Sequence, residues 1–194
     1  NANTEKILKL KPDLVLGFSD IQADIAQRLI KQGVSVWINN YRSINGIKKM
    51  INQLGLIVGK SKESQKIVNE IEKNIKIILD KNLKRGKKPK VYFEEWFDPL
   101  ISSIKWVSEI VEICGGTNYC ESKDAGSLAE DRIIKDPKEI VDFNPDIILV
   151  SWCGKKFKKE KMIKRDGWDS INAIKNNNVY EIDSSIILQP GPAA

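Results

Sequence analysis

The sequence has no histidine. No Ser-His or Cys-His pair can form from these 194 residues, so the common triad chemistries are excluded. Its three cysteines, Cys114, Cys120 and Cys153, form no CxxC pair. A structural zinc site and a secreted disulfide framework are therefore not expected, and the odd count leaves at least one thiol unpaired. There is no Walker A sequence and no GxGxxG, the usual loops that cradle phosphates. No apolar run approaches the roughly 20 residues of a membrane span. The carboxylate pair Glu94-Glu95 lies in an expected strand. Successive strand side chains face opposite sides, so the two cannot serve one substrate as acid and base. The expectation is a protein without catalytic residues, metal ligands or a resident cofactor.

What the sequence does have is charge in excess and unevenly placed. The chain carries 32 basic and 26 acidic residues, for a net +6. Residues 81–90 hold six basic groups and no acid, and residues 155–165 hold seven basic groups and only Glu160. Outside these tracts 19 basic and 25 acidic residues remain, so the rest of the chain is acidic. Two local tracts do not make a nucleic-acid-binding face, and apart from Phe157 no aromatic interleaves with them. They read as solvated helix ends and loops, with contact to anionic lipid or RNA as the alternative. The chain opens Asn1-Ala2-Asn3 without Met, and the expectation is that its natural N-terminus lies further upstream.

The apolar pattern alternates short strands with helices. A helix over Glu5–Leu10 stops at Pro12-Asp13, and Leu14-Val15-Leu16 is a buried-type strand. Ser19 and Asp20 are caps for a helix to about Gln32, with Gly33 beyond its end. Val34–Ile38 is a strand, and Ser43 caps a helix to about Leu54. From Lys62 to Arg85, Ile67, Val68, Ile71, Ile75, Ile78 and Leu79 recur at helical spacing with no Pro or Gly, predicting one long helix. A second α/β segment follows: strands at Val91–Phe93, Asp146–Val150 and Val179–Ile182, and helices at Lys105–Cys114, Asp136–Phe143 and Ile171–Lys175. "KPDLVLG" at 11–17 and "NPDIILV" at 144–150 are the same device, a helix ended at X-Pro-Asp followed by a strand, so the two halves read as similar lobes.

Among the five tryptophans, Trp96, Trp152 and Trp168 stand in expected loops. Trp96 and Trp152 each follow an apolar strand, where parallel α/β sheets bind ligands. Two large flat side chains at equivalent strand ends suit a large flat ligand; the plain alternative is that they cap the core. Trp37 is expected in the core, while Asn39, Asn40 and Tyr41 could line the mouth of the first lobe.

The segments "EKILKLKPDLVLG", "VYFEEWFDPLISSIKWVSEIVEICGG", "PDIILVSWCGKK", "GWDSINAIKNNNVYEID" and "LQPGP" resemble the periplasmic-binding-protein family for cobalamin and iron–siderophore complexes, most nearly its cobalamin-binding branch. The resemblance covers essentially the whole chain. It implies an α/β fold of two Rossmann-like lobes joined by one long rigid helix, with the first lobe incomplete here. On that basis residues 1–60 are a partial N-terminal lobe, 61–87 the connecting helix and 88–194 the C-terminal lobe. The resemblance places ligand contacts in an interlobe cleft, at Phe18, Ser19, Asn39, Asn40, Tyr41, Trp96, Phe97, Asp98, Trp152 and Cys153. Arg132 is the candidate partner for an anionic siderophore. The implied function is capture of a corrinoid for delivery to the transmembrane subunits of an ABC permease, by a monomer outside the cytoplasm that contacts no nucleic acid. Siderophore or haem binding, or a ligand-sensing domain of a larger receptor, are the alternatives.

Overall fold

The computed structural model describes residues 3–83, 86–119 and 128–192. The chain divides into two compact units, residues 1–41 and 42–194.

The first unit contains α1 (Thr4–Lys9), β1 (Val15–Phe18), α2 (Ala23–Lys31) and β2 (Val36–Asn39). The Asn3 side chain accepts the Lys6 N–H at 3.0 Å and starts α1. Strands β1 and β2 pair in parallel from Val15↔Val36 to Phe18↔Asn39. The helix expected from Ser19 begins instead as a 3-10 turn, Asp20–Gln22, with Ser19 as its cap. Gly33 ends α2 at φ +80°, a conformation that favours glycine. Two strands cannot bury both faces of a sheet. Leu29 is fully buried, whereas Leu16, Ile21 and Ile30 remain at least half exposed.

The second unit opens with α3 (Ile44–Ile57) and α4 (Ser61–Asn82), which pack along each other. Ser43 Oγ accepts the Gly46 N–H at 3.1 Å, as an N-cap should. The helix runs three residues past the expected Leu54. It ends in a Schellman motif, in which Lys60 N–H reaches Gly55 O and Gly59 N–H reaches Leu56 O, with Gly59 at φ +69°. Helix α4 is continuous over 22 residues, about 33 Å at 1.5 Å per residue. It stops at Asn82; the expected last residues, Lys84 and Arg85, lie outside the described residues, as does Cys120. Packing thus groups α3 and α4 with the residues that follow them.

A sheet completes this unit. It is built from β3 (Lys90–Trp96), β4 (Ile101–Ser102), β5 (Thr117–Asn118), β6 (Ile147–Val150) and β7 (Val179–Glu181). The order is β4-β3-β6-β7, with β5 also on β3, and every pairing is parallel except β3 with β4. Around it lie α5 (Lys105–Ile113), α6 (Lys138–Phe143), α7 (Lys159–Ile163), α8 (Asn172–Lys175) and α9 (Ser184–Ile187). β3 is buried on both faces from Val91 to Glu94, which accounts for its apolar run Val91–Phe93, and β6 is apolar throughout. Tyr92, Ile148, Val150 and Trp168 fill one core, and Val107 and Val111 on α5 are buried as well. The extended stretch expected at Arg132–Ile134 is in part a 3-10 turn, Glu130–Arg132, after which Ile133 bridges Ile101.

The repeated X-Pro-Asp device has a common backbone. Lys11 and Asn144, each just before its proline, are left-handed at φ +47° and +49°. That region is costly for side-chain-bearing residues. At the second position the bend is secured by side chains. Asn144 Oδ1 accepts the Asn172 N–H, and Asp146 Oδ2 accepts the Lys90 N–H, which ties the entry of β6 to β3.

Candidate functional site

Strands β3, β6 and β7 point their carboxyl ends the same way, so Trp96, Ser151-Trp152 and Ile182-Asp183 emerge on one edge. Ligands of parallel α/β sheets bind beyond such an edge. Here lies a hollow of about 430 Å³ whose aromatic lining is Trp96, Phe97 and Trp152. The rest of its lining is Asp98 and four lysines, Lys155, Lys156, Lys158 and Lys161. A second hollow of about 490 Å³ shares Trp152, Lys155 and Lys156 and reaches Ser151, Glu181 and Asp183.

The foundation of the hollow is Glu94, which is fully buried. Trp152 donates its indole N–H to Glu94 Oε1 at 3.0 Å, and the Tyr92 hydroxyl approaches Oε2 at 3.3 Å. Arg165 grips the same carboxylate with two bonds, at 2.6 and 3.0 Å, and gives a third to the Phe97 carbonyl. Its guanidinium also lies over the Phe97 and Trp168 rings, at 4.6 and 4.4 Å. Burial raises the Glu94 pKa; the hydrogen bonds and charge of Arg165 oppose that rise. Glu95, on the opposite face of β3, has its own partner. Arg132 binds it twice, at 2.5 and 2.9 Å, and donates to the Ser102 carbonyl. The adjacent carboxylates are thus separated as the strand requires, each neutralised by an arginine.

Trp152, a sequence candidate for ligand contact, is buried, with only 6% of it accessible. Its bond to Glu94 pulls the indole inward, and the rings of Phe97 and Phe157 pack edgewise against it at 5.0 and 5.2 Å. Trp96 is half-buried and carries Lys155 Nζ 4.5 Å from its ring centre. Its own indole N–H donates to the Asp98 carbonyl. Phe97 is half-buried and Asp98 exposed. Arg132, the candidate anion partner, is likewise buried and its charge is met by Glu95. Cys153 is an exposed free thiol that lines neither hollow.

In the first unit, Phe18 and Asn39 are the last residues of β1 and β2, and Ser19, Asn40 and Tyr41 follow them. Ser19 and Asn39 are buried there and join the two strand ends, Ser19 N–H donating to Asn39 O at 2.7 Å. Asn39 Oδ1 accepts the Tyr41 N–H, while its buried Nδ2 has no hydrogen-bond partner among the described residues. Phe18 and Tyr41 are half-buried and Asn40 is exposed. Lys155, Lys156, Lys158 and Lys161 were not among the sequence candidates. They belong to the tract read as solvated, and the one signal in it was Phe157, an aromatic among lysines.

A family profile described as Periplasmic binding protein matches residues 1–186. The chain is 29% identical to the ABC transporter substrate-binding lipoprotein YvrC of Bacillus subtilis, over 99% of this chain and 61% of YvrC. It is 27% identical to the high-affinity heme uptake system protein IsdE of Staphylococcus aureus, over 93% of this chain and 63% of IsdE. The chain thus spans less than two thirds of the length of either relative. The crystal structure of IsdE complexed with heme superposes at a TM-score of 0.80 with 25% identity, covering 95% of this chain and 73% of that one. The vitamin B12 binding protein BtuF of Vibrio cholerae shares the fold, at a TM-score of 0.73 and 18% identity, over 100% and 73% of the two chains. With the profile spanning nearly all of its length, this chain belongs to the periplasmic binding protein family.

Proposed function

We propose that this chain is part of the substrate-binding component of an ABC importer. It captures a large planar metal complex of the tetrapyrrole type outside the cytoplasm and hands it to the permease. The observation that carries this reading is the aromatic hollow beyond three parallel strands, held in shape by the buried Glu94–Arg165 pair. It offers ring faces for stacking and ammonium groups for the rim, and a capture protein needs no reacting group. Relatives and structural neighbours named for heme and vitamin B12 support the ligand class. In this reading residues 1–60 belong to the first lobe, 61–87 connect and 88–194 form the second, although α3 packs with the residues that follow it.

Titration of the purified full chain with cyanocobalamin and with ferric protoporphyrin IX, followed by tryptophan fluorescence, tests this. One of the two should quench saturably. Trp96→Ala should weaken that binding by about 1–3 kcal/mol, the range for a stacked aromatic, without changing the circular dichroism spectrum. Absence of saturable quenching by both ligands would overturn the proposal.

A further inference from the structure

The two ring faces best placed for stacking are already covered. Lys155 Nζ stands 4.5 Å from the centre of the Trp96 ring and Lys161 Nζ 5.5 Å from that of Phe97. Both lysines are exposed. Among the described residues neither has a carboxylate within ion-pair distance, and Asp98 is the one acid lining the hollow. A flat ligand can lie on Trp96 only after the Lys155 ammonium has left it. The cost of that step depends on what the ligand's edge offers.

We infer that Lys155 and Lys161 are specificity-determining residues that select planar ligands with carboxylates on the rim over those with an uncharged, amide rim. The inference rests on the proposed capture of a tetrapyrrole. A rim carboxylate draws each ammonium off its ring and gives it a charge-assisted hydrogen bond, so the ring face is released and the cation is satisfied together. An amide rim gives the ammonium a weaker partner, and the lost ring–cation contact counts against binding. Lys156 and Lys158 add to the positive field of the same hollow.

The test compares ferric protoporphyrin IX, with two carboxylates, and cyanocobalamin, with an amide rim, on the full chain and on Lys155→Met, Lys161→Met and Lys155→Arg. Each Met variant should lose about fivefold or more in affinity for the porphyrin, the exposed end of the charge-assisted range. It should keep or gain up to about fivefold for the corrinoid, as a ring–cation contact no longer has to be broken. Lys155→Arg should keep the porphyrin preference. Raising sodium chloride from 50 to 500 mM should weaken porphyrin binding more than corrinoid binding. If the Met variants move both affinities in the same direction, or leave the porphyrin affinity unchanged, the selection is refuted while tetrapyrrole capture stands. If the unsubstituted chain binds neither ligand, capture itself fails and the selection falls with it. Both lysines are exposed, so the variants should melt like the parent, which circular dichroism checks.

Discussion

Arg165→Met is the sharpest probe of the site's foundation. Arg165 gives two hydrogen bonds to a carboxylate that has no solvent exposure and a third to Phe97 O. Removing it leaves Glu94 with only Trp152 and Tyr92 as donors among the described residues. Breaking a buried pair on one side typically costs about 3–5 kcal/mol, because the remaining charge is uncompensated. At about 2–4 °C per kcal/mol for a chain of this size, the melting temperature should fall by at least about 6 °C. The loss should depend on pH. Glu94 already has a raised pKa, so the folded state holds its proton more tightly than the unfolded one. Its contribution is then fully present below the ordinary 4.5 and is lost as pH rises through the folded value. Without Arg165 the rise is larger, so the penalty should be greater at pH 8 than at pH 5. Glu94→Gln added to Arg165→Met should recover part of the loss and flatten its pH dependence. Urea unfolding followed by the fluorescence of buried Trp106 and Trp168 reads this directly. A penalty below about 1 kcal/mol, or one that grows toward acid pH, would refute the account.

Two further substitutions test the helical part of the second unit. A Cβ on Gly55 would lie 2.1 Å from Ser64 Oγ, where α3 meets α4. Gly55→Ala should therefore destabilise by about 1–3 kcal/mol, although alanine is the better helix former by about 1 kcal/mol, and Ser64→Gly should restore much of the loss in denaturant titrations. Ser43→Ala removes the cap bond to the Gly46 N–H and should cost about 0.5–2 kcal/mol, with Ser43→Asn close to neutral in the same assay.

Legibility in the sequence followed the range of the interactions. Helix α4, the strand at Ile147–Val150 and the caps at Ser19 and Ser43 depend on residues within a turn or two, and the local pattern located them. The shared bend at Lys11 and Asn144 was visible because proline and its neighbours mark it on the chain. Helix α7 is five residues long within a lysine-rich stretch, too short to show a period. The burial of Trp152 was not legible. It depends on Glu94 and Phe97, 58 and 55 positions earlier, and on Arg165, which no local pattern ties to β3.

The lysine tract shows the same limit more fully. In the sequence, Lys155 to Lys161 are charges without partners, and solvation is the natural reading. The sheet changes their meaning. Glu94 pairs with Val150 across β3 and β6, so Trp96 at the end of β3 and Trp152 just past β6 come to the same edge and line one hollow. The chain after Trp152 turns back over this edge before α7, and the ammonium groups of Lys155 and Lys161 come to rest on rings from β3 and its following loop. Solvated charge and aromatic face are then one surface. Its affinity is set less by how strongly each group could bind than by what must leave before a ligand can enter. A half-buried indole covered by an ammonium is protected from indiscriminate apolar contact and opens to a ligand that offers the cation a better partner. A tract that reads as the least specific part of the sequence thereby becomes the part of the fold on which selection turns.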